Sequence, residues 1–203
     1  METGDARRGF LTRLRAASID AEELATWLDG LTHVERVQAV RGAGRAEQRR
    51  LYEAVGGFRR VGLADLVPAD RPSLAGVRHY GKNTLGAFTH FEKRFTRPEG
   101  EDPAAPKVLW GYNHQSLAWL TGPGWFVARE DPERGEVLID YREVPPHTPS
   151  GWPAVRRNEV GLSRFVYGHM VDTLRRVSEH VTIGSAARKG RDIGSWFLLC
   201  REP

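Results

Sequence analysis

Three short stretches of the chain join large rings to hydrogen-bonding groups: His79-Tyr80-Gly81-Lys82-Asn83, Trp110-Gly111-Tyr112-Asn113-His114, and Tyr167-Gly168-His169 followed by Asp172. An apolar pocket with a few polar groups that orient a ligand needs that mixture. Alternate residues of a strand share a face. Trp110, Tyr112 and His114 are therefore expected together, as are Phe165, Tyr167 and His169. If the first face points inward, Leu109, Gly111 and Asn113 point outward. The plainer reading of both faces is core or rim aromatics whose polar tips find backbone partners. For acid-base chemistry the candidates are His169, His114 and Asp140. Asp140 shares a face with Arg142, so burial would raise its pKa and the guanidinium would lower it. Arg175 and Arg176 straddle two faces, and an inward guanidinium would clamp a carboxylate or phosphate through two parallel bonds. The expected ligand-binding set is Trp110, Tyr112, His114, Tyr141, Tyr167, His169 and Arg175.

Other chemistries find less support. His79, His90, His114 and His169 contain no H-x-H or H-x-x-x-H pair, so no metal site is expected and no cofactor is inferred. The single cysteine, Cys200, alternates with Trp196 and Leu198 and reads as a buried, inert thiol. No serine lies in a G-x-S-x-G elbow. Gly42-x-Gly44 follows a helical pattern and has no third glycine at the dinucleotide spacing.

The elements that must position these residues fall into two textures. Residues 1–57 read as helical. Asp20 with Glu23, and Thr32 with Glu35, are N-cap signals, and Leu24, Trp27, Leu28 and Leu31 form an apolar stripe. From residue 76 the chain turns to short Val-, Ile-, Phe-, Tyr- and Trp-rich runs punctuated by Gly, Pro and Asp, the pattern of an antiparallel β-domain. Nine runs qualify: Val77–Tyr80, Leu85–Phe95, Val108–His114, Trp125–Arg129, Val137–Arg142, Arg164–Met170, Thr173–Val177, Val181–Ala187 and Ser195–Arg201. Thr96–Lys107 and Pro145–Pro153 read as loops. Short turns between neighbours predict an up-and-down meander that closes on itself and removes its edges. The expected division is a helical extension (1–57), a linker (58–75) and a barrel domain (76–203), with the Trp27, Leu28 and Leu31 stripe against an outer wall.

The final stretch, RFVYGHMVDTLRRVSEHVTIGSAARKGRDIGSWFLLCRE, carries paired arginines, a tight turn, a strand passing through Thr182-Ile183-Gly184-Ser185, and a closing aromatic-aliphatic strand. It resembles the terminal meander of bacterial lipocalin-like (calycin) barrels. The G-x-W of the first lipocalin strand has as its nearest counterpart Trp110-Gly111-Tyr112, in the other order. The resemblance implies an α+β fold, N-terminal helices plus an antiparallel lipocalin-like barrel, and a function of binding a small, largely apolar ligand in the barrel cavity. Two alternatives stay open: an enzyme acting on such a ligand by His/Asp acid-base chemistry, and a protein-interaction module with the barrel as scaffold.

Composition bounds the classes. The 203 residues carry 30 basic and 26 acidic groups, and hydrophobic residues make up 40%, an ordinary globular content that excludes disordered and collagen-like chains. Acidic residues are interspersed among the arginines, which disfavours nucleic-acid binding despite a pI near 9.5. No apolar run reaches the length of a membrane span. The segment METGDARRGFLTRLRAAS offers no apolar export core, and a cytoplasmic location is expected. A homo-oligomer is left open.

Overall fold

A computed structural model describes residues 3–84, 89–114, 122–155, 158 and 167–203. Four helices lead the chain: α1 (Thr3–Arg15), α2 (Ala21–Asp29), α3 (His33–Gly42) and α4 (Arg45–Ala54). Their starts are local chemistry. The Asp20 carboxylate accepts the Glu22 and Glu23 amides, each at 3.0 Å, and satisfies donors that a helix N-terminus leaves open. Thr32 and Glu35 form a reciprocal capping box, with Glu35 accepting the Thr32 amide at 2.9 Å. A short α5 (Leu63–Leu66) follows within the segment expected as a linker.

Eight strands, among the described residues, then form a closed antiparallel barrel in chain order: β1 (Val77–Asn83), β2 (His90–Thr96), β3 (Leu109–His114), β4 (Trp125–Asp131), β5 (Glu136–Asp140), β6 (Met170–Arg176), β7 (Val181–Arg188) and β8 (Arg191–Arg201). β8 returns to β1 with Gly81 opposite Leu199 and Tyr80 opposite Cys200, so among the described residues no sheet edge is left unpaired. The α+β architecture and the closed meander are as the sequence pattern predicts. Two of the expected strands, Arg164–Met170 and Thr173–Val177, give way to the single β6. Tyr167 to His169 form a turn, closed by the Met170 amide on the Tyr167 carbonyl at 3.1 Å, and residues 164–166 lie outside the described residues. The expected strand from Leu85 begins at His90, residues 85–88 likewise lying outside the described ones.

The barrel wall separates two cores. Inside lie Val77, Phe91, Phe95, Leu109, Phe126, Val137, Ile139, Leu174, Phe197 and Leu199. Leu63 and Leu66 of α5 join this core and close one end, held there by the His79 imidazole donating to the Leu66 carbonyl at 3.0 Å and by Arg176 paired with Asp65. Outside, Leu24 and Leu28 of α2 and Leu31 just beyond it share a core with Val177 just after β6 and with Val181, Ile183, Leu198 and Cys200 of the strands, and Trp27 packs against it. Each fully buried Leu contributes about 1.5–3 kcal/mol, so the helical layer is an integral part of the fold.

Candidate functional site

Alternation along each strand decides what enters the lumen. On β2 the inward residues are Phe91, Lys93 and Phe95; on β3 Leu109, Gly111 and Asn113; on β6 Met170, Asp172 and Leu174; on β8 Ser195, Phe197 and Leu199. At the end opposite α5 these side chains leave a cavity of about 320 Å³. Phe91, Phe197, Tyr141, Tyr167, Met170 and Ala186 form its apolar walls, and Ile193, 42% exposed, stands at the rim.

Deep in the cavity four polar side chains from four places in the chain converge. The Lys93 ammonium donates to Asn113 Oδ1 at 2.9 Å, to Asp172 Oδ2 at 3.2 Å and to the Tyr141 hydroxyl. Tyr141 donates to the same Asp172 oxygen at 3.0 Å, and Asn113 Nδ2 donates to the Tyr141 oxygen at 3.2 Å. Lys93 and Asp172 are each only 2% exposed. The rings of Phe91, Phe126, Tyr141 and Phe197 surround Lys93 Nζ at 4.8 to 5.8 Å from their centroids, presenting negative faces to the cation. Asp172 Oδ1 is buried with no hydrogen-bond partner among the described residues.

Burial dominates the proton affinities of this cluster. Loss of water pulls Lys93 below the usual amine range, with Asp172 pulling the other way. It pushes Asp172 above the usual carboxylate range against Lys93 and Tyr141, and lifts Tyr141 well above an ordinary phenol. The ammonium-carboxylate pair and its neutral counterpart are thereby brought closer in energy. One proton can pass among three side chains within hydrogen-bond reach.

Several of the expected site residues stand elsewhere. Tyr141, following β5, and Tyr167, in the turn before β6, line the cavity and stack on each other at 5.3 Å. Trp110, Tyr112 and His114 point outward, contrary to expectation. Tyr112 packs between Trp125 at 5.1 Å and Trp152 at 4.8 Å, and Trp110 meets His147 at 4.7 Å, so the 145–153 loop covers the outer wall. The lumen side of β3 has no room for a ring at its centre. A Cβ on Gly111 would lie 2.4 Å from both the Arg94 carbonyl oxygen and the Phe126 ring.

The acid-base candidates are dispersed too. His169 is exposed in the turn, with φ at 58°, and His114 is exposed at the strand end. Asp140 faces outward, where burial raises its carboxyl but the Arg142 hydrogen bonds, one at 2.6 Å, outweigh it and hold it low. Arg175 also faces outward, bonded to Glu136 at 2.6 Å and stacked 3.9 Å over the Tyr52 ring. Phe165 lies outside the described residues.

The turn that delivers Tyr167 depends on Gly124, whose φ of +57° suits glycine and whose absent side chain leaves room for the Tyr167 ring 2.5 Å from where a Cβ would sit. Asn158 ties the same region together, donating to the Trp125 carbonyl at 2.6 Å and to the Tyr141 carbonyl at 2.8 Å.

Two other buried groups are inert by environment. Burial lowers the His79 pKa to about 3, with Arg201 and Lys93 pushing the same way, and leaves its ring a neutral donor to the α5 backbone. Burial raises the Cys200 thiol to about 11, beneath the helices. Among the described residues no three His, Cys, Asp or Glu side chains are grouped to hold a metal ion, and no helix is long and apolar enough to cross a membrane.

Comparison with protein-family models, curated proteins and solved structures finds no match.

Proposed function

We propose that this protein binds a small, largely apolar molecule in the barrel lumen, its polar end against Lys93, Asn113, Tyr141 and Asp172, in the manner of the lipocalin-like barrels that the terminal meander resembles. The observation that carries the reading is the cavity of about 320 Å³ with aromatic walls and a buried four-residue polar cluster. At the roughly 30 Å³ that a water molecule occupies in the liquid, it has room for on the order of ten non-hydrogen atoms. Such a small volume selects compact ligands. Tyr141 and Tyr167 keep the ligand-binding role expected from the sequence, and Lys93 with Asp172 takes the polar role.

A second reading is supported by the hydrogen-bonded Lys93, Tyr141 and Asp172: an enzyme that moves a proton to or from the same ligand. The interaction-module reading finds less support, because Val34 and Ile193 are the only large apolar side chains exposed among the described residues. We assign the protein to the cytoplasm because its lone thiol suits a reducing compartment.

Native mass spectrometry of the purified chain, with titration by the compact fluorophore 2-naphthol, tests the binding reading. A co-purified molecule or saturable one-to-one uptake of the probe is expected. A bare chain that takes up no probe overturns it.

A further inference from the structure

We propose that Lys93 forms a reversible imine with an aldehyde or ketone that enters the cavity, so that the ligand class is a small apolar carbonyl compound; this rests on the binding reading above. An amine lining an apolar cavity beside a carboxylate and a phenol is the arrangement that carbonyl condensation needs. Lys93 supplies the nitrogen, and Asp172 and Tyr141, both within hydrogen-bond distance of Nζ, supply and receive protons.

The step balances within the cluster. Asp172 takes a proton from the Lys93 ammonium, and the freed lone pair attacks the carbonyl carbon. A C–N bond forms as the carbonyl π electrons move to oxygen. The proton lost from nitrogen passes to that oxygen, with the Tyr141 hydroxyl as relay, giving the carbinolamine. Asp172 then protonates the carbinolamine hydroxyl, water leaves and an iminium remains. The start and end states carry the same charges, one positive on Nζ and one negative on Asp172. The aromatic faces that surround the ammonium therefore serve the iminium equally. Water entering at the rim reverses the sequence.

The chain has only four lysines, Lys82, Lys93, Lys107 and Lys189, so the reacting one is readily mapped. The full-length protein is incubated with nonanal and sodium cyanoborohydride, then analysed by intact mass and peptide mapping. A single adduct is expected, with the mass of nonanal less one oxygen atom. It should lie on Lys93, form at least tenfold faster than labelling of the exposed Lys107 and Lys189, be slowed by excess nonanol and by Asp172→Asn, and vanish in Lys93→Arg. Circular dichroism of each variant confirms that it is folded. Labelling of Lys93 no faster than the exposed lysines overturns the proposal. If nonanol and nonanal both displace 2-naphthol while Lys93 stays unlabelled, the imine is refuted and the binding site stands. If neither displaces the probe, both are refuted.

Discussion

Replacing Lys93 by Met and Asp172 by Val, singly and together, separates a cluster kept for stability from one kept for a ligand. The pair lies 3.2 Å apart, and at an effective dielectric of about 20 its attraction is roughly 5 kcal/mol. Against that stands a desolvation penalty of several kcal/mol for each ion. The two sides nearly cancel. Either single change strands a buried partner and should cost about 3–5 kcal/mol, less to the extent that the remaining group gives up its charge. The double variant strands neither. Asn113 and Tyr141 can still hydrogen-bond to each other there, because a turned amide lets the hydroxyl donate to Oδ1. It should therefore fall within about 2 kcal/mol of the parent. Urea unfolding followed by tryptophan fluorescence, with six tryptophans in the chain, measures all four proteins. A double variant as unstable as the sum of the singles would refute the reasoning and make the cluster a structural necessity.

Acid should weaken the fold through His79, whose pKa falls to about 3 on burial. The unfolded chain takes up this proton below about pH 6.5 and the folded chain does not, so stability is full above that pH and falls by up to about 1.4 kcal/mol per unit below it; His79→Gln should flatten that slope in urea titrations at several pH values. Trp110→Ala, on the covered outer wall, should cost up to about 3–5 kcal/mol of stability yet leave 2-naphthol affinity within twofold, measured on the folded variant. The Cys200 thiol, pushed up to about 11, should react with a disulfide reagent only as fast as the protein unfolds, so reaction rates that track reagent concentration in the native state would contradict its burial.

The helical and strand elements were legible because their signals are local. Asp20, Thr32 and Glu35 cap helices within three residues of themselves, and Gly, Pro and Asp mark the turns of the meander. The four-residue α5 is too short to show a period, and its role depends on the barrel end that it fills. The face of β3 is ambiguous in the sequence for a physical reason. Both sides of that strand are buried, so alternation separates two faces without saying which is inside, and the cover over Trp110 and Tyr112 comes from His147 and Trp152, far along the chain. The turn at Tyr167 removed the expected strand geometry from His169. The polar cluster did leave a trace in the sequence. Phe91-x-Lys93-x-Phe95 and Met170-x-Asp172-x-Leu174 each set one charge, of opposite sign, into an apolar face. Such charges are rarely buried unless paired, so each points to a partner of opposite sign on another strand.

The most direct test fills the cavity. Ala186, on the β7 wall, is 5% exposed and lines the space, and Ala186→Leu extends an aliphatic side chain into it. Fluorescence titration with 2-naphthol should show saturable one-to-one binding to the parent and at least tenfold weaker binding to the variant, with a thermal midpoint equal to or above that of the parent. Equal affinity in the two folded proteins would show that the lumen is not where the ligand goes.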